Sequence, residues 1–201
     1  MAEEKTSEQS ETTEKPKPKG IAKKIILGIF GAIAVAVIAF LVVVMMQPSE
    51  YTVTRTGTID APPSEVFPHV NDLSKWQAWS PWAERDPNAK EWYSGPDAGE
   101  GAVAHWDGND EVGAGSMTIT QSKPDELIEL ELTFIRPMEG TADVEFNFSP
   151  QGDGTEVAWH MHGENNLMGK MMCLFMDLDK MIGDDYEEGL ANLKRVVEEG
   201  Q

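Results

Sequence analysis

Apolar and polar positions along this chain follow three different patterns in turn. Residues 25–46, IILGIFGAIAVAVIAFLVVVMM, run for 22 positions without a charge, an amide or a proline. At 1.5 Å per residue a helix of that length spans about 33 Å, enough for the hydrocarbon layer of a bilayer. Apolarity on every face predicts a helix surrounded by lipid rather than one sharing a core.

From residue 51 the period becomes two. YTVTRTGTID (51–60) places Tyr51, Val53, Arg55, Gly57 and Ile59 on one face and threonines on the other. KEWYS, AVAHWD, SMTITQSKP, ELIELELTF, EGTADVEFNFSP and TEVAWHMHG then read as strands. GPDAGEG, GNDEVGAG, Pro124–Asp125 and QGDG mark the turns. Ile128, Leu130, Leu132 and Phe134 oppose Glu129, Glu131 and Thr133; Ala142, Val144, Phe146 and Phe148 oppose Asp143, Glu145 and Asn147. Antiparallel strands with one buried face have this pattern. Between the first two strands, Pro62 and Pro63 predict a short helix through Val70 that Pro68 limits. NDLSKWQAWSPWAERDPNA reads as a long connection.

From about Met168 to Glu199 the period is 3.6. Met171, Leu174, Phe175, Leu178, Met181, Ile182, Leu190, Leu193 and Val197 form one stripe, with Asn165 and Asn166 as caps. Gly183 and Gly189 weaken this helix without demanding a break. A sheet with one apolar face and a long amphipathic helix to cover it make a two-layer α+β domain.

Charge sharpens the division. Residues 1–20 lack any large aliphatic or aromatic residue after Met1, so they are expected to form a disordered tail. Lys15, Lys17, Lys19, Lys23 and Lys24 precede the apolar run, whereas only Arg55 is basic in the 20 residues after it. This bias keeps the N-terminus cytoplasmic and the folded part outside. A cleaved signal peptide is the rival reading, but the run is longer than the usual ~7–15 residues and lacks a cleavage site before Gln47. The expected organisation is therefore a tail at 1–20, a single-pass anchor at 21–46 and a domain at 51–199.

Beyond the anchor lie 30 of the 35 acidic residues and 10 of the 16 basic ones, a net of −20. Such a surface repels nucleic acid and anionic headgroups alike. Cys173, alone in the chain, reads as a small hydrophobe buried in a helix.

Candidate chemistry is sparse. His160, His162 and Glu164 have the spacing of a partial metal site, with His105 as the missing third ligand. The histidines fall opposite Val157, Trp159 and Met161, however, so they point to solvent. Asp184 and Asp185 are adjacent on a helix and diverge by about 100°. No GxSxG, HExxH, phosphate-loop or dinucleotide motif occurs, and nothing calls for a metal or cofactor.

Five segments carry a resemblance: IDAPPSEVF (59–67), LSKWQAWSPW (73–82), GAGSMTI (113–119), GDGTEVAWHMHG (152–163) and DYEEGLANLK (185–194). In these, and in their order, residues 51–197 resemble the polyketide cyclase/dehydrase and lipid-transport family of the START/Bet v 1-like (SRPBCC) superfamily. The resemblance implies a helix-grip fold, a curved antiparallel sheet wrapped around a long C-terminal helix with an apolar cavity between. Gly113 and Gly115 would then allow a tight turn and sheet curvature beside that cavity.

Strand parity and the family's cavity placement together nominate Trp79, Trp82, Trp92, Trp106, Phe134, Phe146, Trp159, Met161, Met172, Phe175 and Met176 as lining; any one of them alone reads more simply as ordinary core, and it is as a set that they suit an apolar guest. Arg55 either meets a ligand's anionic group or forms a salt bridge at the edge. The resemblance carries over no catalytic residue. It implies binding of a small hydrophobic or lipid-like molecule, and the apolar run makes this a membrane-tethered domain. The alternatives are a cyclase/dehydratase-like enzyme and a closed domain that contacts envelope proteins, with no protein partner identified. Through the family's distribution, the cell is expected to be bacterial.

Overall fold

The computed structural model describes the backbone of residues 19–200 and the side chains of residues 23–200. The tail expected at 1–20, and with it Lys15 and Lys17, lies outside the described residues apart from the backbone of Lys19 and Gly20. The chain divides into two units between Val43 and Val44. The first is dominated by helix α1 (Lys19–Met45). Its Lys23–Met45 stretch is long and apolar enough to cross a membrane, and all of its side chains but Val44 near its end are exposed.

The second unit is built on seven strands: β1 (Glu50–Ile59), β2 (Lys90–Ser94), β3 (Val103–Asp107), β4 (Ala114–Lys123), β5 (Leu127–Arg136), β6 (Gly140–Gln151) and β7 (Gly154–Glu164). They form one antiparallel sheet in the order β1-β7-β6-β5-β4-β3-β2, curved around the long C-terminal helix. Register follows the alternation read from the sequence. Val53, Ile128, Leu130, Val144, Phe146 and Trp159 are buried, while their alternate neighbours are exposed or only half-buried. Slipping any strand by one residue would turn that set to water. Two register shifts between β4 and β5, at Ala114/Gly115 and Ile119/Gln121, add local twist and help the sheet curl.

The connection between β1 and β2 is more regular than the sequence suggests. Helix α2 spans Pro63–Asn71 and runs through Pro68. A 3₁₀ segment at Leu73–Ala78 follows, then α3 at Pro81–Arg85. The Asp72 carboxylate accepts the Ser74 amide hydrogen bond, and Pro81 fits the first position of its helix. Trp76 and Trp79 hang from these turns into the core, donating their indole N–H groups to the carbonyls of Val70 and His69.

The C-terminal helix is also not one piece. Residues Leu167–Met172 form α4, and α5 runs from Leu178 to Glu199. Asn166 caps α4 by accepting from the Gly169 amide, as expected. Asp177 ends the intervening turn by capping α5 through the Lys180 amide. A good cap inside an apolar stripe starts a new helix and stops the old one. The stripe that covers the sheet is therefore Tyr186, Leu190, Leu193 and Val196, and Phe175 falls off it. Cys173 closes α4 and is half-buried rather than enclosed.

Candidate functional site

The concave face carries an aromatic cluster built from five elements. Trp159 of β7 stacks on Tyr186 of α5 at 3.8 Å between ring centroids and on Phe146 of β6 at 4.7 Å. Trp76, Trp79 and Trp82 meet it edge-on at 5.7–6.1 Å. Of the expected lining, Trp79, Phe146 and Trp159 expose 1% or less, so a water-sized sphere barely touches them. Met161 is also buried. This end of the interior is buried and ring-packed as ordinary core is.

Trp159 is nevertheless odd. Its indole N–H makes no well-formed hydrogen bond, in contrast to those of Trp76, Trp79 and Trp106. It acts on the Tyr186 hydroxyl as an electrostatic neighbour. Burial dominates at Tyr186 and pushes its phenol far above the usual range, with the Trp159 N–H opposing. Burial also raises Tyr51. Tyr93, nearly half exposed, is pushed up to about 12, first by desolvation and then by its hydrogen bond to Glu91.

These are the chain's three tyrosines. A phenol raised above its unfolded value stabilises fully below pH ~10 and loses that contribution as pH rises through the folded value. Tyrosinate absorbance should therefore show no step at pH ~10, and stability should fall above it. Three phenols titrating near 10 in the folded chain would contradict this packing.

Toward the other end of the strands the concave face opens. The register forms one continuous row, Ala104–Met117–Leu132–Ala142–Gly163–Tyr51, across six strands. Beside it runs Trp106–Gly115–Phe134–Gly140. Trp106 and Phe134 meet edge-on at 6.1 Å, with the Trp106 ring over Gly115, and the Val112 carbonyl holds the Trp106 indole. Trp82, Trp106, Leu132, Phe134 and Ile182 pack against the core while remaining partly accessible. They supply a half-buried apolar surface. At the same end, Tyr51, Leu174, Phe175 and Met176 line a groove of about 510 Å³.

Other nominated residues lie elsewhere. Trp92 sits on β2, an edge strand with all five residues exposed, and stacks on His105 at 5.1 Å. Alternation cannot bury an edge strand that no apolar layer covers; the Gln77 amide reaches Glu91, yet all five residues stay exposed. Phe175 and Met176 are exposed and Met172 is half-buried, because the helix breaks before α5.

Arg55 shares the inner parity of β1, but its guanidinium goes to α5, where it binds Asp179 and Glu187. These carboxylates hold its pKa up, led by the Asp179 hydrogen bond. The guanidinium fills the space a Cβ at Gly183 would need, so this glycine of α5 admits an ion pair. A second groove, about 630 Å³, runs between β1 and α5 beside Arg55 and Lys194.

His160 and His162 are on the opposite face, bonded to Thr54 and Thr52. No group of three potential metal-binding side chains occurs among the described residues. Sequence reasoning missed Tyr186, Leu132 and Ile182 as parts of these surfaces. Tyr186 was detectable from its spacing, four residues after Ile182 and four before Leu190.

The sequence profile described as polyketide cyclase / dehydrase and lipid transport matches residues 50–198. Among solved structures, protein CV1439 from Chromobacterium violaceum is similar at 15% identity and a TM-score of 0.55, covering 73% of this chain and 96% of that one. Mll3558 from Rhizobium loti is similar at 18% and 0.53, covering 72% and 95%. The Aha1 dimer from Colwellia psychrerythraea, solved in solution, is similar at 15% and 0.54, covering 75% and 98%. At these identities the likeness is one of fold. No curated protein matches the chain.

Proposed function

Because this chain belongs to the polyketide cyclase/dehydrase and lipid transport family over residues 50–198, we propose that its folded domain binds a small hydrophobic or lipid-like molecule while α1 tethers it to a membrane. The observation that carries the reading is the half-buried apolar surface of Trp82, Trp106, Leu132, Phe134 and Ile182. Rigid aromatic side chains left partly wet at the mouth of a curved sheet suit an apolar guest. Among the described residues the buried side chains are hydrophobic or aromatic except Ser80, Thr155 and Asn165. The recognition on offer is therefore mainly shape and apolar contact. Lys23 and Lys24, just before the apolar run, support an orientation with the N-terminus in the cytoplasm and the domain outside.

The test is a titration of residues 44–201, which carry their own core, with a fluorescent fatty acid. Saturable 1:1 binding is expected. Phe134→Asp should weaken it by at least ~10-fold, about 1.4 kcal/mol, while Trp92→Ala leaves it unchanged. Binding that ignores Phe134→Asp in a folded variant would move the ligand elsewhere. A second reading, a closed domain that binds no small molecule, draws support from the filled interior around Trp79, Phe146 and Trp159. It requires that fatty-acid, isoprenoid and polycyclic probes all fail to bind.

A further inference from the structure

The domain carries an exposed apolar patch that the ligand reading does not use. Leu167, Met168, Phe175, Met176 and Met181 are all exposed, Phe175 to 78%. Five large hydrophobic side chains within 15 residues, in a segment of an otherwise strongly acidic domain, require an apolar partner.

The fastening of this segment identifies the partner. The Asn165 amide donates to the Ser49 carbonyl at 2.7 Å, and the Asn165 side chain donates to the Pro48 carbonyl at 3.3 Å. Lys170 Nζ reaches Ser49 Oγ at 2.8 Å. Gly169 lies against Asn165, where a Cβ would come within 2.9 Å of its side-chain oxygen. Residues 165–170 are thus bonded to the chain just after α1 ends at Met45. Four residues reach at most about 14 Å, and a turn from Gln47 N to Val44 O shortens that reach. The headgroup layer is itself about 5–8 Å deep on each side. The groove lined by Tyr51, Leu174, Phe175 and Met176 also includes Gln47 and Pro48, so patch and stalk are continuous.

We infer that this patch docks on the lipid bilayer, with Phe175 and the neighbouring methionines and leucine at the boundary between headgroups and acyl chains. The inference rests on α1 spanning the membrane. Docking makes a second, non-covalent membrane contact and fixes the orientation of the domain. The row Ala104–Met117–Leu132–Ala142–Gly163–Tyr51 joins the half-buried apolar surface to this same end of the sheet. Docking would therefore present that surface to lipid, and an apolar guest could pass without crossing water. Apolar contact suits the charge as well, since a domain of net −20 gains nothing from anionic headgroups.

The test uses the full chain in phosphatidylcholine vesicles. Cys173→Ser removes the native thiol, and a nitroxide is attached at Phe175→Cys or at Asp153→Cys. Asp153 lies in the β6–β7 turn, ten residues of β7 away, about 33 Å. Electron paramagnetic resonance should show position 175 open to oxygen and several-fold less open to a water-soluble nickel chelate than position 153. Equal nickel access at both sites in a chain that floats with vesicles and resists carbonate extraction would overturn docking and leave the anchor intact. Release of the chain by carbonate would overturn the anchor and, with it, docking. Shielding at 175 with spin–spin broadening that disappears on dilution in lipid would assign the patch to a second copy instead.

Discussion

Trp159→Ala should destabilise the folded domain by about 3–5 kcal/mol, measured by urea unfolding of residues 44–201. The side chain is 1% exposed and touches five other aromatic rings contributed by β6, α5, α3 and the 3₁₀ segment with its flank. Removing it leaves a cavity that no single element can collapse to fill, because the surrounding rings are held by different parts of the chain. Domains of this size are stable by only about 5–15 kcal/mol, so the loss is a large share of the total. Trp159→Phe should cost much less. It keeps most of the stack and removes an N–H that is buried without a well-formed hydrogen bond. A loss below about 1 kcal/mol for the alanine variant would mean that the cluster is not close-packed.

The second large effect is expected at Gly115. A Cβ there would collide with the Thr133 carbonyl oxygen and come within 2.6 Å of the Trp106 ring. Neither neighbour yields easily. Thr133 belongs to the β5 backbone, and Trp106 is pinned by the Val112 carbonyl and by Phe134. Gly115→Ala should cost about 3 kcal/mol, at the upper end of overpacking penalties. It should also weaken apolar ligand binding by displacing Trp106. Gly140, in the same row, has open space where its Cβ would be, so Gly140→Ala should change stability by no more than about 0.5 kcal/mol. Equal costs at the two positions, read by thermal unfolding, would count against the close approach of β5 and Trp106 to Gly115.

Much of this architecture is local in origin and so could be read directly. Alternation along 128–134 and 142–148 fixed which face of the sheet is buried, since side chains alternate with a strict period of two. Gly113, expected at a tight turn, has a φ of 67°. The reading failed where a local signal competed with packing. The stripe through Met171, Leu174 and Phe175 has a helical period, yet Asp177 caps a new helix and turns Phe175 outward. Trp92 has the alternation of a half-buried residue, but no apolar layer covers β2. Arg55 has inward parity, and only the fold brings Asp179, Glu187 and the bare backbone of Gly183 to meet it.

By itself, then, the sequence determined the long apolar helix, the strands and their buried face, and the α+β class. Each of these depends on periodicity and composition within one segment. Tertiary structure alone decided which nominated residues are solid core, which form a half-open apolar surface, and which lie at the stalk end. Those outcomes depend on what arrives from strands and helices up to a hundred or more residues away. A residue's type shows that it prefers to leave water, but only the fold decides whether protein or something else covers it.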